Sequence, residues 1–402
     1  MKKIAVISFA TILKGENGNN KYPYLCKLLV ENGYDVTLVT SSFNHYNKTQ
    51  RNLSQDFSDG YKVKLVDCKS YKKNVSLKRI FAQKGYAKNL KKYLESENFD
   101  VIICSVPNLD GALTTLKFGK KNKVPVIIDL EDLWPEAFKM AINIPLVSSA
   151  LFYPSLKKAN KIYKMADGVV AVSNTYLERT RVKGRDETRE EKCIFIGAMK
   201  DDFDFFATDK EKYDRFTLSY IGTLGVSYDI ERVIDALDIL KQRGIKDIDF
   251  LCMGDGPKKD EFVSHAKEKG VSAIFTGSLP YPEMIKKLVK THVGLNPIKG
   301  NSVATIINKA GDYAFAGLPV INSMMSLEYR NLLEDYNAGL NVKSEDALDL
   351  ANKIEMLYKD RKLLDSMSKN SRALACEKFD RKVTYDGYLE IVKVVGEKYE
   401  KE

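Results

Sequence analysis

Short apolar runs alternate with helical patterns along the whole chain, and this alternation limits the possible folds more than any other feature. Residues 4–9, 36–40 and 101–104 are apolar with little interruption, which is typical of strands buried on both faces of a sheet. Helical patterns separate these runs, and connections of this kind build parallel sheets with helices on both sides. A chain of 402 residues is long enough for two such domains.

A polar, acidic stretch interrupts the alternation near the middle of the chain, and the pattern then restarts. We therefore predict an N-terminal domain over 1–200, a linker over 201–216, a C-terminal domain over 217–380, and a helix over 381–402 that packs back toward the N-terminal domain. The predicted fold class is α/β, with two doubly wound parallel-sheet domains that face each other across a cleft. Ligands bind such sheets at the carboxyl ends of the strands, so functional residues are expected directly after strands.

The two halves of the chain differ in charge. Residues 1–200 contain 34 Lys and Arg against 20 Asp and Glu, a net charge of +14, whereas the remainder has 30 against 34, a net charge of −4. We predict no nucleic-acid partner, because Lys dominates over Arg and no aromatic-basic recognition motif appears. An anionic membrane surface fits the basic half, and a solvated lysine-rich surface is the alternative. The apolar segment 141–154, followed by several lysines, fits either an interfacial helix or a core helix.

Cysteine usage and hydropathy indicate a cytoplasmic location. The six cysteines form no C-x-x-C pair, which favours buried thiols in a reducing compartment. The apolar N-terminus is short and lacks a small-residue cleavage site, so we interpret it as a first strand. No run of about 18 apolar residues is available to span a bilayer. Two Asp-x-Asp pairs (202/204 and 247/249) fall in the predicted linker and at the entering end of a strand, so no metal site is predicted.

The strongest local signal is the segment NKAGDYAFAGLPVI, residues 308–321. Lys309 falls in the first turn of a predicted helix that Thr305 can cap, and Asp312 lies three residues later on the same face. A lysine at a helix start is suited to a diphosphate, and a carboxylate one turn later can accept the two hydroxyls of a ribose. A solvated Lys–Asp pair on a helix surface is the alternative interpretation.

This segment resembles the nucleotide-sugar-binding helix of family 4 glycosyltransferases, with matches at Asn308, Lys309, Tyr313 and Gly317 and with Asp312 in place of a Glu. Further segments are similar in family order: SSFNHYNKTQR (41–51), DLEDLWPEAF (129–138), ADGVVAVSNTYL (166–177), YIGTLG (220–225) and MGDGP (253–257). Two of them, 41–51 and 129–138, look like the branch that assembles capsule and O-antigen polysaccharides. The resemblance covers roughly residues 3–390.

The resemblance implies a GT-B enzyme that retains the anomeric configuration, needs no metal or other cofactor, and binds a UDP- or GDP-linked sugar in its C-terminal domain. The donor-binding residues that it implies are Gly222, Thr223, Gly254, Gly256, Leu279, Tyr281, Asn308, Lys309 and Asp312. Gly222 and Thr223 begin the phosphate loop, Gly254 and Gly256 form a loop near the base, and Leu279 and Tyr281 line the base pocket. Lys309 neutralises the leaving diphosphate, so it counts as catalytic.

Four residues of the N-terminal domain are candidates on the acceptor side. Glu131, where many relatives carry a His near the donor sugar, is a predicted catalytic residue that orients the acceptor hydroxyl or stabilises positive charge on the sugar ring. Asp132 is either an acceptor contact or a helix N-cap before Pro135. Gly18 lies in a loop that contacts phosphate or acceptor, or forms a plain turn. His45 is either an acceptor contact or a structural histidine.

Some positions depart from the family pattern. Ala304 replaces the first acid of a Glu-x7-Glu pair, Asp312 shortens the second, and Thr223 and Tyr228 replace an Arg and a Lys of the phosphate loop. These departures keep open a non-catalytic nucleotide-sugar-binding partner subunit. A sugar-nucleotide epimerase on the same fold is a second alternative. The preferred expectation is a cytoplasmic transferase, peripheral on the inner face of the membrane, that acts on a saccharide or lipid-diphosphate-linked acceptor.

Overall fold

The structure is a computed structural model. It describes residues 1–400 except 17, 19, 20, 53, 75, 140–144, 210 and 301–304, and of residues 138, 139, 145–151 and 400 it describes the backbone alone. The strands are β1 (Lys3–Ile7), β2 (Asp35–Ser41), β3 (Phe43–Asn44), β4 (Thr49–Gln50), β5 (Lys62–Val66), β6 (Val101–Val106), β7 (Val126–Leu130), β8 (Gly168–Ala171), β9 (Glu190–Cys193), β10 (Phe216–Ile221), β11 (Ile248–Met253), β12 (Ala273–Phe275), β13 (Val293–Asn296), β14 (Val320–Asn322) and β15 (Gly339–Asn341).

The helices are α1 (Lys21–Glu31), α2 (Leu77–Leu94), α3 (Leu109–Asn122), α4 (Glu136–Lys139), α5 (Pro145–Met165), α6 (Asn174–Arg179), α7 (Lys200–Phe206), α8 (Ile230–Gln242), α9 (Lys259–Lys269), α10 (Tyr281–Leu288), α11 (Lys309–Phe315), α12 (Leu327–Asp335), α13 (Ala347–Lys359), α14 (Arg361–Leu374), α15 (Arg381–Thr384) and α16 (Asp386–Glu400). Side-chain caps start several of them. Ser76 accepts a hydrogen bond from the Arg79 amide at the start of α2, and Asn108 accepts two at the start of α3.

The chain divides into two compact units. Unit 1 comprises residues 1–194 and 385–402, and unit 2 comprises residues 195–384. The boundaries of these units differ from the predicted domain boundaries, because the predicted linker 201–216 contains α7 and the start of β10. The Phe203 side chain of α7 is fully buried in the unit 2 core, so this acidic stretch is part of a folded unit.

Unit 1 is built on a seven-stranded parallel sheet in the order β5-β2-β1-β6-β7-β8-β9. Every residue of β6 and β7 is buried, as expected for strands covered on both faces. The order reverses between β1 and β6, so the loops after these two strands define the expected binding edge. The C-terminal helix α16 belongs to this unit, and Tyr388 and Ile391 lie in its core.

Unit 2 is built on a six-stranded parallel sheet in the order β12-β11-β10-β13-β14-β15. Apolar residues from both faces of this sheet form its core, and every residue of β10 is buried. The order reverses between β10 and β13. The prediction of two doubly wound parallel-sheet units is confirmed, and within the described ranges no helix has the length and apolar character needed to cross a bilayer.

Candidate functional site

The first part of the candidate site is the loop that follows β10, where the strand order of unit 2 reverses. The reversal lies between β10 and β13, which is the position where ligands bind sheets of this kind. Gly222 and Thr223, predicted to begin the phosphate loop, are both exposed there. Gly222 has a φ of +126°, which favours glycine at this position. The predicted loop residues therefore lie at the binding edge of the sheet.

Gly254 and Gly256 pack against this loop. A Cβ atom on Gly254 would lie 1.8 Å from the carbonyl oxygen of Gly222, and one on Gly256 would lie 2.4 Å from that of Leu224. The Leu224 amide also donates a hydrogen bond to the carbonyl of Asp255 (2.8 Å). The two glycines thus let the loop after β11 support the loop after β10, a packing role that adds to the predicted one near the base.

The Lys309 side chain is buried beside the same loop. Its ammonium Nζ lies 4.0 Å from the ring centroid of Tyr220 and 4.3 Å from that of Tyr228. A Cβ atom on Gly222 would lie 3.4 Å from Nζ. Lys309 is only 7% exposed, and Nζ has no hydrogen-bond partner within the described part of the chain. Burial lowers the pKa of Lys309 to about 7.

The two tyrosine rings are the main part of this arrangement that sequence reasoning missed. Tyr228 was identified only as a substitution for a cation, and Tyr220 was not singled out. A cation–π contact contributes roughly 0.5–2 kcal/mol, which offsets part of the cost of burying an ammonium group. No sequence signal links these tyrosines to Lys309, because they come from β10 and the loop after it, 89 and 81 residues earlier.

Asp312 and Tyr281, both predicted on the donor side, are in direct contact. The Tyr281 hydroxyl donates a hydrogen bond to Oδ1 of Asp312 (2.7 Å). Burial raises the pKa of Asp312 to about 6, against the opposing effects of this hydrogen bond and of Arg381. Leu279 lies beside Tyr281 at the edge of the same core. The alternative of a solvated Lys309–Asp312 pair is wrong, because Lys309 is buried between aromatic rings.

The start of α11 differs from the prediction. The helix begins at Lys309, and the exposed Asn308 is its N-cap residue without a side-chain capping bond. Thr305 is therefore not the cap, because residues 305–307, which lie directly before Asn308, are not helical. Position 304, where an acid of the family pattern is replaced by alanine, lies outside the described residues.

In unit 1, Glu131 belongs to a buried ionic cluster at the carboxyl end of β7. The Lys21 ammonium lies 2.8 Å from a carboxylate oxygen of Asp129 and 3.3 Å from one of Glu131. The Tyr388 hydroxyl donates a hydrogen bond to the same Asp129 (2.9 Å). The Lys21 and Asp129 side chains are almost fully buried, whereas that of Glu131 is 26% exposed. Glu131 is thus the member of the cluster that a ligand can reach.

The cluster changes the ionisation of its members. Burial lowers the pKa of Lys21, but Asp129 and Glu131 outweigh this effect and raise it above its usual value. Burial raises the pKa of Glu131, and Lys21 opposes that rise. Lys21 and Tyr388 were not predicted. Lys21 starts α1 and Tyr388 lies on α16, so neither is near Glu131 in sequence.

The loop that carries Gly18 is held in place by a buried arginine. Nε and Nη2 of Arg51 donate hydrogen bonds to Glu16 (2.8 and 2.7 Å). Nη2 also donates to the Thr11 carbonyl, and Nη1 donates to the Ser41 carbonyl. Gly18 has a φ of +145°, and a Cβ atom there would lie 2.8 Å from the Ile12 side chain. Neighbouring residues 17, 19 and 20 lie outside the described part. These hydrogen bonds hold the described part of the loop in place. The contact of Gly18 with a ligand stays a prediction.

His45 lies in a cluster of aromatic and basic side chains. It is hydrogen-bonded to the Tyr71 hydroxyl (2.5 Å), and Lys48 donates to the His45 carbonyl (2.6 Å). Burial and the neighbouring Lys48 and Arg79 lower the pKa of His45 to about 4, so the imidazole is neutral at pH 7. The Arg79 guanidinium stacks on Trp134 at 4.5 Å and lies 5.9 Å from the Tyr71 ring.

Asp132 joins this cluster through Trp134. The Trp134 indole N–H donates to Asp132 Oδ2 (3.1 Å), while burial raises the pKa of Asp132. The alternative role as a helix cap is wrong, because α4 begins only at Glu136. Of the predicted apolar segment 141–154, residues 141–144 and the side chains through 151 lie outside the described part.

Comparison with known proteins identifies the C-terminal part of the chain. Residues 215–360, which contain the loop after β10 and Lys309, match the family model described as "Glycosyl transferases group 1". No curated protein is significantly similar to the chain. Solved structures are similar along nearly the whole length at low sequence identity, so they bear on the fold alone.

Three of these solved structures show the range of similarity. Sucrose-phosphate synthase from Thermosynechococcus elongatus is 17% identical, with a TM-score of 0.72 over 100% of this chain and 99% of that one. The HepE protein of Anabaena, in complex with UDP, is 14% identical with a TM-score of 0.70 over 98% and 100%. A putative UDP-N-acetylglucosamine 2-epimerase from Listeria monocytogenes is 14% identical with a TM-score of 0.62 over 98% and 97%. Residues 215–360 match a group 1 glycosyl transferase domain, which supports glycosyltransferase activity, and the two parallel-sheet units fit the GT-B fold.

Proposed function

We propose that the chain transfers a sugar from a UDP- or GDP-linked donor to a lipid-diphosphate-linked saccharide, with retention of the anomeric configuration, in surface polysaccharide assembly. Unit 2 would bind the donor and unit 1 the acceptor, at the inner face of the cell membrane. The UDP bound to the structurally similar HepE protein supports a nucleotide-linked donor. The resemblance of segments 41–51 and 129–138 to the capsule and O-antigen branch supports the pathway.

The observation that carries the proposal is the buried ammonium group of Lys309 beside the Gly222 loop, which has no hydrogen-bond partner among the residues that the structure describes. A buried charge without a partner is unfavourable, so this group is suited to an anion that arrives with the ligand. Negative charge develops on the leaving diphosphate as its bond to the anomeric carbon breaks. A positioned cation stabilises that charge, which is often the largest electrostatic contribution to catalysis.

Asp312 and Tyr281 would bind the nucleoside end of the donor. A carboxylate can accept hydrogen bonds from both hydroxyls of a ribose, and the Tyr281 hydroxyl holds one oxygen of Asp312 in a defined direction. The exposed backbone of Gly222 and Thr223 would contact the phosphates, while Asn308 and Leu279 would complete the pocket. Gly254 and Gly256 pack against the backbone of this loop.

On the acceptor side, Glu131 would orient the attacking hydroxyl or stabilise positive charge on the sugar ring. Its pairing with Lys21 restricts the carboxylate, and its partial exposure leaves one side accessible. Asp132, His45 and Gly18 would contact the saccharide. Neutral His45 is able to donate or accept one hydrogen bond to a sugar hydroxyl.

An epimerase acting on the nucleotide sugar alone is the second candidate, because the Listeria structure named above shares the fold. A non-catalytic binding subunit is the third, supported by Thr223 and Tyr228 in place of cations. Product analysis separates the three. An epimer formed without acceptor favours the epimerase, and donor binding without turnover across a panel of acceptors favours the binding subunit.

The test is a thermal-shift screen of nucleotide sugars, followed by turnover assays with the best donor and lipid-linked acceptors. We expect Lys309→Met to reduce turnover by at least roughly tenfold, which corresponds to ~1.4 kcal/mol of transition-state stabilisation. The melting temperature of this variant should stay the same or rise, because methionine keeps the volume and removes a buried charge. Lys362→Met, at an exposed site of the same unit, is the control. Wild-type turnover by Lys309→Met would refute the assignment.

Metal independence is part of the same proposal. Turnover should persist after treatment with EDTA and should not rise on adding Mg²⁺ or Mn²⁺, because the Lys309 ammonium would neutralise the leaving group in place of a metal ion. Loss of turnover in EDTA that Mn²⁺ restores would contradict it.

A further inference from the structure

The first turns of α2 expose three large apolar side chains on one face. Leu77 is 72% exposed, Ile80 46% and Phe81 66%. Their spacing of three and four residues places them side by side on the helix surface. The opposite face, which includes Tyr86 and Leu90, is buried in unit 1. Single exposed apolar residues are common, but a contiguous group of three indicates a binding surface.

Lysines continue this stripe along the helix. Lys84 and Lys88 are exposed one and two turns after Phe81, and neither forms an ion pair with a described residue. From residue 69 to residue 94 the sequence contains nine Lys and Arg and no Asp or Glu. We call Leu77, Ile80, Phe81, Lys84 and Lys88 the α2 surface. Its unbalanced positive charge favours an anionic partner.

We propose that the α2 surface binds an anionic lipid bilayer. Apolar side chains flanked by lysines are the pattern of a helix that lies in the interface, with its apolar residues in the acyl boundary and its ammonium groups at the headgroups. A nucleic acid would use the charge but leave Leu77 and Phe81 without a partner. The inference rests on the proposed function to the extent that a lipid-linked acceptor lies in such a bilayer.

Contacts within unit 1 connect the α2 surface to the predicted acceptor residues. Arg79, on the same helical turns, stacks on Trp134, which donates to Asp132. Lys48 donates a hydrogen bond to Asn74, which lies just before α2. The loop that contains Lys48 also carries His45. A bilayer bound at α2 would therefore lie next to the residues proposed to contact the saccharide. This arrangement suits an acceptor whose lipid stays in the membrane.

Vesicle co-sedimentation of the full chain tests the proposal, with phosphatidylcholine vesicles compared with a phosphatidylcholine–phosphatidylglycerol mixture. We expect binding at least roughly tenfold stronger to the anionic vesicles, since each near-surface lysine adds to the attraction. The double variant Leu77→Gln, Phe81→Gln should lose at least roughly tenfold of that binding. Replacing Lys84, Lys88 and the neighbouring exposed Lys78 by Gln should weaken binding to the anionic vesicles alone.

Matched controls exist in unit 2. Leu327 is 73% exposed on α12, so Leu327→Gln removes an apolar side chain as exposed as Leu77. The exposed Lys267, Lys362 and Lys369, replaced together by Gln, match the charge change. Both controls should bind like the wild type. The proposal is overturned if the Leu77, Phe81 variant binds as the wild type does, or if neutral and anionic vesicles bind equally.

A second measurement separates insertion from adsorption by charge. Phe81→Trp in a Trp134→Phe background leaves one tryptophan, at the α2 surface, and its emission should shift to the blue with anionic vesicles. No shift while the chain sediments with vesicles would overturn the apolar part of the proposal. The donor thermal shift, measured on every variant, reports the proposed function separately. Vesicle binding without donor binding would refute that function and leave the α2 surface standing.

Discussion

The proposed chemistry depends on the ammonium group of Lys309. It combines deep burial, two aromatic rings and no hydrogen-bond partner among the described residues. Burial lowers its pKa to about 7. An arriving diphosphate would favour the charged form and raise that pKa again. Donor binding should therefore be linked to protonation.

The first prediction follows from this linkage. At about pH 8 a lysine with a pKa of about 7 is roughly nine-tenths neutral, so binding a diphosphate should take up close to one proton. Calorimetry of UDP binding in buffers of different ionisation enthalpy measures this uptake. The uptake by Lys309 should vanish at about pH 6, where the free group is already charged and proton release by Asp312 remains. At about pH 8 it should be absent in Lys309→Met. Equal proton uptake by the wild type and by Lys309→Met would contradict the prediction.

Asp312 supports a second prediction, with the opposite sign. As an acceptor for ribose hydroxyls it must be ionised, so donor affinity should fall as the pH drops through about 6. The Tyr281 hydroxyl lowers the pKa of Asp312. Tyr281→Phe should therefore raise that pKa and move the acidic limb of the donor-binding profile to higher pH. A limb that stays in place would show that Asp312 is not the titrating group.

At the scale of elements, the loops after β10 and β11 are in such close contact that only glycine fits at two positions. The Cβ of Gly254→Ala would lie 1.8 Å from the Gly222 carbonyl oxygen, whereas that of Gly225→Ala would have only the Thr223 side chain nearby, at 3.8 Å. The contact is backbone against backbone, so side-chain rotation cannot relieve it. The two substitutions add the same atom to adjoining loops in very different surroundings.

We expect Gly254→Ala to lower the free energy of unfolding of unit 2 by about 1–3 kcal/mol or more, because overpacking forces the backbone to shift. It should also weaken donor binding, since the Gly222 loop would move. Gly225→Ala should change either quantity by well under 1 kcal/mol. Denaturant unfolding measures the stability change, and the donor thermal shift measures the change in donor binding. Equal effects of the two substitutions would exclude the close-contact explanation.

At the scale of the molecule, unit 1 depends on the last residues of the chain. Tyr385, Tyr388, Ile391 and Val395 of this last segment lie in its core, and the Tyr388 hydroxyl binds Asp129 of the buried ionic cluster. Unit 1 is thus assembled from two separate stretches of sequence. Loss of the second stretch would expose apolar surface and remove a hydrogen bond from a buried carboxylate.

A chain ending at Thr384 should therefore lose protease resistance in residues 1–194, while residues 195–384 keep theirs. Limited proteolysis with mass spectrometry maps the two regions separately. Tyr388→Phe tests the single hydrogen bond to Asp129. It should lower the free energy of unfolding by about 1–2 kcal/mol, because it leaves a buried carboxylate with one donor fewer. Unchanged resistance of residues 1–194 in the truncated chain would contradict the structure of unit 1.

Local pattern determined most of the architecture in advance. Continuous apolar strands between helices predicted two doubly wound sheets, since burial on both faces of a parallel strand leaves a signal within a few residues. The motif of residues 308–321 located Lys309 and Asp312 by their order along the chain. The family resemblance selected Gly222, Thr223 and Glu131, and all three follow strands, whose carboxyl ends meet at one edge of a parallel sheet.

Tertiary packing alone decided what surrounds these residues. Nothing near Lys309 in the sequence indicates that Tyr220 and Tyr228 enclose its ammonium group, or that Lys21 and Tyr388 join Asp129 and Glu131. Likewise, the basic character of α2 could be read from its residues, while the exposure of Leu77 and Phe81 could not. A strand or helix pattern depends on neighbours in sequence, whereas burial, ionisation and exposure depend on neighbours in space, which folding brings together from distant parts of the chain.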